Sequence, residues 1–591
     1  MIANNYFSDD PELVLFFEHL VDWKAVVAAT EGKDFFDHRR YAETGDERFA
    51  LAPSNVAEAV DLYRSTLESL GEFCGKEVSQ IAPTLDRAGL TFESGQVRFP
   101  PEAVNLFERY RKTGLIPYAV PRFAGGLGLP TTIAAFYSMI MGRSDASFCM
   151  TQNLTNLAQI VTRYGTEEQA AHFAAPAATG ETLFAMALSE PDFGSDLSNV
   201  RTTATRQADG SYRITGTKRF ISQGCGLGPY PSTLLTLART NSRSGARGLS
   251  VFLVKGSDVE IAGIERKMGI HASPTCEVVY ENAPAQLLGQ EGQGLTRCTL
   301  GMTNFMRLAS AAGAAGGGAV ALSECEKYAR ERIQFGRPIA EIPAVAAMLE
   351  TIRRETMAMR LLAIETASAI DLYQHEQIRM EQAGLSDREI RGHAENRYRH
   401  NVASLLSPIA KVYCSETALR CASLAVQIHG GAGYTEDYDV ARLYRDARIN
   451  TIYEGTTQLL SGIAAGGIAA GLGEAGTLRR LLVELQGAIP NYRERLLGLP
   501  GILEEALPLY QNLKSGVRER FSEELVMFTA RLLCSMLLER AHARLSSIRN
   551  ADGVSPELLD RWQYDCRLYH LDGGAMGAAL LYRLKNVEQA R

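Results

Sequence analysis

The change of hydrophobic period along the chain limits its fold more than any other feature. From residue 1 to about 185, apolar side chains recur at three- and four-residue intervals, as in Ser54–Leu70 and Glu102–Thr113. That is the spacing of amphipathic helices. Ser54, directly after Pro53, is the expected N-cap of the first, and a Gly/Pro-rich loop, Pro117–Pro130, interrupts the helices. Over 186–290 the period changes to short alternating runs: Thr202–Arg206, Tyr212–Thr217, Thr233–Ala238, Leu249–Val254 and Cys276–Tyr280. Turns such as Ala208-Asp209-Gly210 separate them, so this stretch reads as an antiparallel β block.

The helical period then returns. Residues 309–332 predict a helix of small residues and 344–373 a long amphipathic one. The segment 374–403 is polar and reads as an exposed insertion. Helices resume over 404–429, 437–448 and 455–470; Gly471–Gly476 reads as a linker, and 477–591 as further amphipathic helices, Glu519–Ser546 among them. The expected fold class is α+β, mostly α. Its parts are an N-terminal extension and helical domain (1–185), a β domain (186–290), a helical bundle with an insertion (291–470) and an extra C-terminal helical domain (477–591). Strands do not alternate with helices, which excludes a doubly wound parallel sheet.

Composition narrows the class. A 46% hydrophobic, 22% charged chain can build large cores, and a net charge of −7 argues against a nucleic-acid partner. Ten scattered cysteines with no CxxC pair read as reduced, mostly buried thiols of a cytoplasmic protein. The N-terminus lacks a basic n-region, and no run of 18 apolar residues occurs; Leu308–Leu322 and Leu459–Leu472 come nearest. The histidines show no metal-ligand spacing, so no metal is expected.

Several chemistries are absent: no P-loop, no GxSxG and no HExxH. Gly224-Cys225-Gly226-Leu227-Gly228 runs into Pro229 rather than a helix and fails the dinucleotide context, and the glycine run 313–318 suits close helix packing. Three segments stand out. Ser189–Asp196 combines hydroxyls, turn residues and open backbone amides, the means to bind a flat heteroaromatic edge or an anion, or simply to form an Asx turn. Gln427–Tyr434 leaves a helix into a glycine turn, which is either a C-cap or a close backbone approach to a ligand. Ile452–Gln458 places a lone carboxylate, Glu454, at a helix start: a first-turn acid favoured by the dipole, or a base tuned by burial.

Together these segments, in this order, resemble the acyl-CoA dehydrogenase family from about Glu102 to about Ala465. Tyr164–Gln169 resembles its YG(T/S)EEQ signature, Ile214–Ser222 its IxGxKxWIT, Arg332–Gly336 its RxxFG, and Arg445–Arg448 its RDAR. Lys267–Cys276 and the extra length resemble the long bacterial subfamily, which includes broad-chain and 3-methylmercaptopropionyl-CoA dehydrogenases.

The resemblance implies FAD-dependent α,β-dehydrogenation of acyl-CoA thioesters in fatty acid β-oxidation. It makes Glu454 the α-proton base, with its own N–H helping to bind the thioester oxygen. A second base position known in some relatives here holds Met306, which cannot act as one. For FAD the resemblance implies Met186, Ser189, Ser195, Phe220, Ser222, Thr456 and Gln458, with Arg332, Phe335, Gln427, Gly430 and Gly431 contributed across a subunit interface. For the acyl-CoA it implies Thr240, Asn304, Arg307, Tyr453 and Gly455. Asn304 replaces a common Asp, Met186 a common aromatic, and Pro343 a Gln of some relatives. A shared FAD site implies a homodimer or dimer of dimers, and electrons pass to an electron-transfer flavoprotein.

Rival readings on the same fold are an acyl-CoA oxidase using O2, and a non-catalytic flavoprotein. The latter predicts a lost base and a basic face, against Glu454 and the charge of −7. Nitroalkane oxidases carry Asp at the base position. The C-terminal helices read as a dimer-stabilising domain, with a module for partners or weak peripheral membrane association as the alternative.

Overall fold

The structure, a computed structural model, describes residues 2–241, 245–473, 476–548 and 554–587. Glu474 and Ala475 of the expected linker, and residues 549–553 and 588–591 of the expected C-terminal domain, lie outside the described residues. The chain forms two compact units. One takes Thr30–Ala309 with the segment up to Tyr6; the other takes Phe7–Ala29 and the chain from Ser310 onward.

In the first unit, helices α1 (Val56–Phe73), α2 (Pro101–Arg111), α3 (Thr131–Ser144) and α4 (Ala146–Thr155) precede the sheet. The N-cap of α1 is Asn55, not Ser54: the Asn55 side chain accepts the Glu58 N–H at 3.0 Å. Ser54 instead donates its N–H and hydroxyl to the Glu58 carboxylate at 2.8 and 2.7 Å, so cap and neighbour share one helix start.

Seven strands follow: β1 (Leu183–Ala187), β2 (Thr203–Arg206), β3 (Tyr212–Ser222), β4 (Ser232–Arg239), β5 (Leu249–Lys255), β6 (Glu260–Ile264) and β7 (Thr275–Leu288). Strands β2, β3, β7, β5 and β4 pair in a closed circuit, with β1 beside β4 and β6 beside β7. The circuit closes through a single residue pair, Thr203↔Arg239, between β2 and β4. Most pairings are antiparallel, but β1 runs parallel to β4, from Leu183↔Ser232 to Ala187↔Thr236. Tyr212, Ile214, Leu234, Phe252, Val278 and Tyr280 fill the core.

A buried ion pair pins the loop after β1 to β3. Lys218 is fully buried and Glu190 nearly so; the Lys218 ammonium lies 3.0 Å from the Glu190 carboxylate and 2.9 Å from the Leu188 carbonyl. Glu190 also accepts the N–H groups of Arg201 and Thr202 at 2.7 and 2.8 Å.

The long helix α5 (Leu300–Glu331) begins in the first unit and continues in the second. There α6 (Pro343–Gln382) and α7 (Ala394–His429) pack along each other, followed by α8 (Val440–Ala447) and α9 (Thr457–Gly471). At Gly318 of α5 a Cβ would lie 2.6 Å from the Thr356 hydroxyl and 2.8 Å from Met359 Cε, so this member of the glycine run is needed for close helix approach. The segment 374–403 is helical for most of its length. Helix α6 runs through it to Gln382, a capped turn of helix covers Asp387–Gly392, and α7 starts at Ala394. Its polar residues lie on a helical hairpin that still buries Met380, Ile390, Val402 and Ala403.

The C-terminal helices α10 (Ser522–Ser547) and α11 (Pro556–Asn586) pack on the same bundle. Their central contact is buried charge. Arg531 donates to Glu355 at 2.6 Å and lies 3.5 Å over the Tyr569 ring, while the Tyr413 hydroxyl donates to the other Glu355 oxygen at 2.7 Å. The N-terminal segment joins them: Arg360 of α6, buried, pairs with Asp10 and Glu12, and Phe16 packs against Trp562. All ten cysteines are free, and nine are buried. Among the described residues one helix, Gly294–Glu331, is long and apolar enough to cross a membrane, and 72% of its apolar window is buried in the fold.

Removing one partner of a buried pair strands the other, so Arg531→Met is expected to cost about 3–5 kcal/mol, read from urea unfolding. Lys218 gives a pH signature. Burial lowers its pKa to about 8, so between that value and the unfolded one near 10.4 only the unfolded chain stays protonated, and stability rises with pH. The stability of the protein relative to Lys218→Met is therefore expected to grow by about 2 kcal/mol from pH 7 to 9.5. Parallel pH profiles would contradict that assignment.

Candidate functional site

The expected site residues divide between the two units, each of which gathers its own set. In the first unit the loop Ser189–Asp196 is closed by reciprocal backbone bonds between Glu190 and Phe193, at 2.9 and 3.1 Å. The Ser189 carbonyl accepts the Arg219 N–H at 3.0 Å. With the Lys218–Glu190 pair, this joins the loop carrying Ser189 and Ser195 to the strand carrying Phe220 and Ser222. Met186 is half-buried on β1, which approaches β3.

The register of β3 on β7 shifts between Lys218↔Val278 and Ile221↔Cys276. At this bulge Phe220 takes φ +63° and stands 57% exposed. A bulge re-aims a side chain off the pleat, and here it presents an aromatic face outward. Ser222 ends the strand, half-buried, opposite Thr275. Thr240 follows β4, with its N–H on the Gly248 carbonyl at 3.0 Å and its hydroxyl 3.2 Å from that of Ser250. Asn304 and Arg307 are half-buried on the first turns of α5, whereas Met306 between them is buried.

In the second unit Arg332 and Phe335 lie on a hairpin, Ile333–Gln334 paired with Arg337–Pro338. Its two-residue turn has φ +52° at Phe335 and +78° at Gly336, the sign pattern of a type I′ turn. Phe335 is 92% exposed, and Arg332 is exposed. Helix α7 ends at His429, and Gly430, at φ +61°, caps it with Gly431 beside it; both glycines and Gln427 are exposed. Aromatic packing gathers these pieces. The His429 ring stacks on Tyr328 at 4.2 Å, Tyr438 meets both edge-on, the Tyr328 hydroxyl donates to the His429 carbonyl, and the Arg332 N–H donates to the Tyr328 carbonyl at 2.8 Å. Burial holds His429 below the usual imidazole range. The Ala425 carbonyl 2.8 Å from its Nδ1 can only accept, which places the ring proton on that nitrogen.

Glu454 is not a first-turn acid. Helix α9 starts at Thr457 with Thr456 as its N-cap, its hydroxyl accepting the Leu459 N–H at 3.3 Å. Glu454 stands two residues earlier, half-buried, at φ +57°, followed by Gly455 at +101°. A non-glycine residue in the left-handed region is uncommon and collects where function imposes a conformation. Two side chains of α7 hold this turn. Lys411 donates to the Gly455 carbonyl at 2.6 Å, and Glu416 accepts the Thr457 hydroxyl at 2.5 Å. Tyr453 lies before the carboxylate, with the Lys411 ammonium 6.0 Å from its ring centroid. Gln458 points elsewhere: its amide donates to Glu523 of α10 at 3.2 Å.

Sequence reasoning passed over Glu190, Lys218, Lys411 and Glu416. The signal for both lysines was a charge where the pattern demands an apolar residue: Lys218 at an inward position of β3, and Lys411 in the run Ile409–Tyr413. Among the described residues no group of three or more His, Cys, Asp or Glu side chains is placed to hold a metal.

Family models for the N-terminal, middle and C-terminal domains of acyl-CoA dehydrogenase match residues 63–181, 185–283, and 292–386 with 390–469. The chain is 36% identical over 428 residues to the 3-methylmercaptopropionyl-CoA dehydrogenase of Ruegeria pomeroyi, covering 68% of this chain and 69% of that one. Butyryl-CoA dehydrogenase of Megasphaera elsdenii superposes with a TM-score of 0.58 at 27% identity, over 69% of this chain and 98% of its own. An acyl-CoA dehydrogenase of Bacillus anthracis, solved with FAD, shares the fold over 88% of both chains, with a TM-score of 0.71 at 23% identity. The helical, β and helical parts thus recur here in the order of these relatives, and the chain belongs to the acyl-CoA dehydrogenase family of FAD-dependent oxidoreductases.

Proposed function

We propose that the chain dehydrogenates acyl-CoA thioesters at the α,β position, with Glu454 as the α-proton base. The supporting observation is the turn at Glu454: a carboxylate outside its helix, in a left-handed conformation, held from below by two side chains of α7. An α-proton beside a thioester is a weak acid. A carboxylate removes it only when the developing negative charge on the thioester oxygen meets donors already in place. Glu454 precedes the helix, so its N–H lies outside the α9 ladder; in this reading it is one of the donors to that oxygen.

The residues present fit FAD. Phe220 offers an exposed aromatic face, Ser189, Ser195 and Ser222 offer hydroxyls on one braced loop and strand, and Arg332 offers an exposed guanidinium suited to a diphosphate. At Gly430 and Gly431 a Cβ would meet nothing within 4 Å, which leaves open backbone for an adenosine moiety. When bound, FAD supplies the acceptor for the β-hydrogen as hydride. In this reading Met186 and Thr456 border the flavin, while Thr240, Asn304, Arg307, Tyr453 and Gly455 contact the acyl-CoA. Gln458 serves less directly, since its amide is engaged by Glu523.

The outward-facing Arg332 hairpin supports a homodimer in which one copy completes its partner's FAD site; in the same reading an electron-transfer flavoprotein is the acceptor. Reduction of that protein, against consumption of O2, separates dehydrogenase from oxidase. A panel of acyl-CoA thioesters, short to long and methylthio-substituted, defines the substrate.

Glu454→Gln is expected to retain FAD and to lose dehydrogenation; near-normal turnover would remove the base assignment. Arg332→Ala, losing a charge-assisted contact, is expected to weaken FAD retention by about tenfold, measured from flavin released on dilution. Retention equal to the parent's would remove Arg332 from the site.

A further inference from the structure

We propose that Lys411 is a positioning residue for the base: its buried ammonium, bonded to the Gly455 carbonyl, sets the turn that aims the Glu454 carboxylate. The inference rests on the reading of Glu454 as the base and extends it to a residue outside the set assigned to substrate and cofactor.

Lys411 is wholly buried on α7, between Ala410 and Val412, which are also fully buried. A lysine stem is long enough to carry its charge to water from most helix positions, yet this one keeps it inside, where an ammonium must be compensated. Its Nζ is 2.6 Å from the Gly455 oxygen, a short charge-assisted bond, and 6.0 Å from the Tyr453 ring centroid. It therefore reaches the residues on both sides of Glu454.

Those residues need holding. Glu454 has φ +57°, in the left-handed region that a non-glycine residue adopts uncommonly, and Gly455 follows at +101°, where glycine is free to turn either way. Rotation of the Gly455 peptide would move the Glu454 backbone and swing its carboxylate. The bond from Lys411 opposes that rotation from a rigid helix. The other end of the turn has its own anchor, since Thr457 is buried and donates its hydroxyl to Glu416 of the same helix at 2.5 Å. A surface lysine could not do this, because water would compete for the carbonyl.

The test uses the full-length holoenzyme with butyryl-CoA and octanoyl-CoA and ferricenium as acceptor. Lys411→Met keeps the stem and removes the charge. It is expected to retain FAD absorbance and to keep KM within about twofold while kcat falls by about 100-fold, the loss that a misplacement near 1 Å produces. Lys411→Arg, which restores the cation, is expected to recover part of that loss. A kcat for Lys411→Met within twofold of the parent overturns the proposal, as does a loss shared equally by FAD retention and KM. Should Lys411→Met fail to fold, Thr457→Val reads the same turn from its second anchor: a fall in kcat at constant KM supports the proposal, and unchanged kcat overturns it. Glu454→Gln is run alongside. Turnover there overturns the base assignment itself, whereas an inactive Glu454→Gln with a fully active Lys411→Met overturns only the role of Lys411.

Discussion

A charge taken out of water has to be compensated where it lands, and the architecture of this chain follows from where its buried charges landed. Each such bond joins segments far apart in sequence. Lys218 and Glu190 are 28 residues apart, Lys411 and Gly455 44, Arg531 and Glu355 176, and Arg360 and Asp10 350. Hydrophobic contacts tolerate sliding by a methylene or a rotamer. An interior ammonium or guanidinium does not, since losing its partner leaves the whole desolvation penalty unpaid. These bonds therefore fix which segments meet more than they add to stability. Loop 189–196 is set on β3, the Glu454 turn on α7, and the C-terminal helices on α6.

That constraint explains why the residues beyond 470 are not an appendage. Glu355 sits near the middle of α6, and its two oxygens are taken by Arg531 from α10 and Tyr413 from α7. Removing the last helices would leave a buried carboxylate facing solvent together with the apolar faces of two 36- to 40-residue helices. The N-terminal segment is bound by the same logic. Arg360, two turns or less from Glu355, takes up Asp10 and Glu12, which carries Phe7–Ala29 into the second unit.

What the sequence makes legible is whatever periodicity and turn chemistry record. The switch from period 3.6 to period 2 marks the β region, and the glycine turn after Gln427 and the Tyr453–Thr456 turn stand out as breaks in helical runs. Strand β1 was hidden because Leu183–Ala187 is apolar without alternation, as expected of a strand covered on both faces. Strand β6 was hidden for the opposite reason: Glu260–Ile264 pairs only with β7 and carries a weak pattern. The polar stretch 374–403 reads only as an exposed insertion because a helical hairpin with few inward positions needs few apolar residues. The pairings of Lys218 and Lys411 are tertiary facts. A lysine in an apolar run announces that compensation exists somewhere, but nothing local says where.

Backbone conformation gives an independent line to the same residues. Among the described residues ten that are not glycine have positive φ, and Phe220, Phe335 and Glu454 are three of them. They stand at a β-bulge, a hairpin turn and the approach to a helix, three structural reasons with nothing in common. In each case the residue is large or charged where glycine would cost nothing. Folding alone gives no reason to keep phenylalanine or glutamate at such positions, since glycine would relieve the strain of each. The conformation is tolerated because the surrounding bonds over-determine it: the Ser189–Arg219 bond and the Lys218 pair beside Phe220, the paired strands beneath Phe335, and Lys411 with Glu416 beneath Glu454. Strain that is braced and not relieved is what the roles proposed for these three side chains require. Of the three, Glu454 carries the only charge, and the buried ammonium that braces it bonds directly to the carbonyl of the next residue, Gly455.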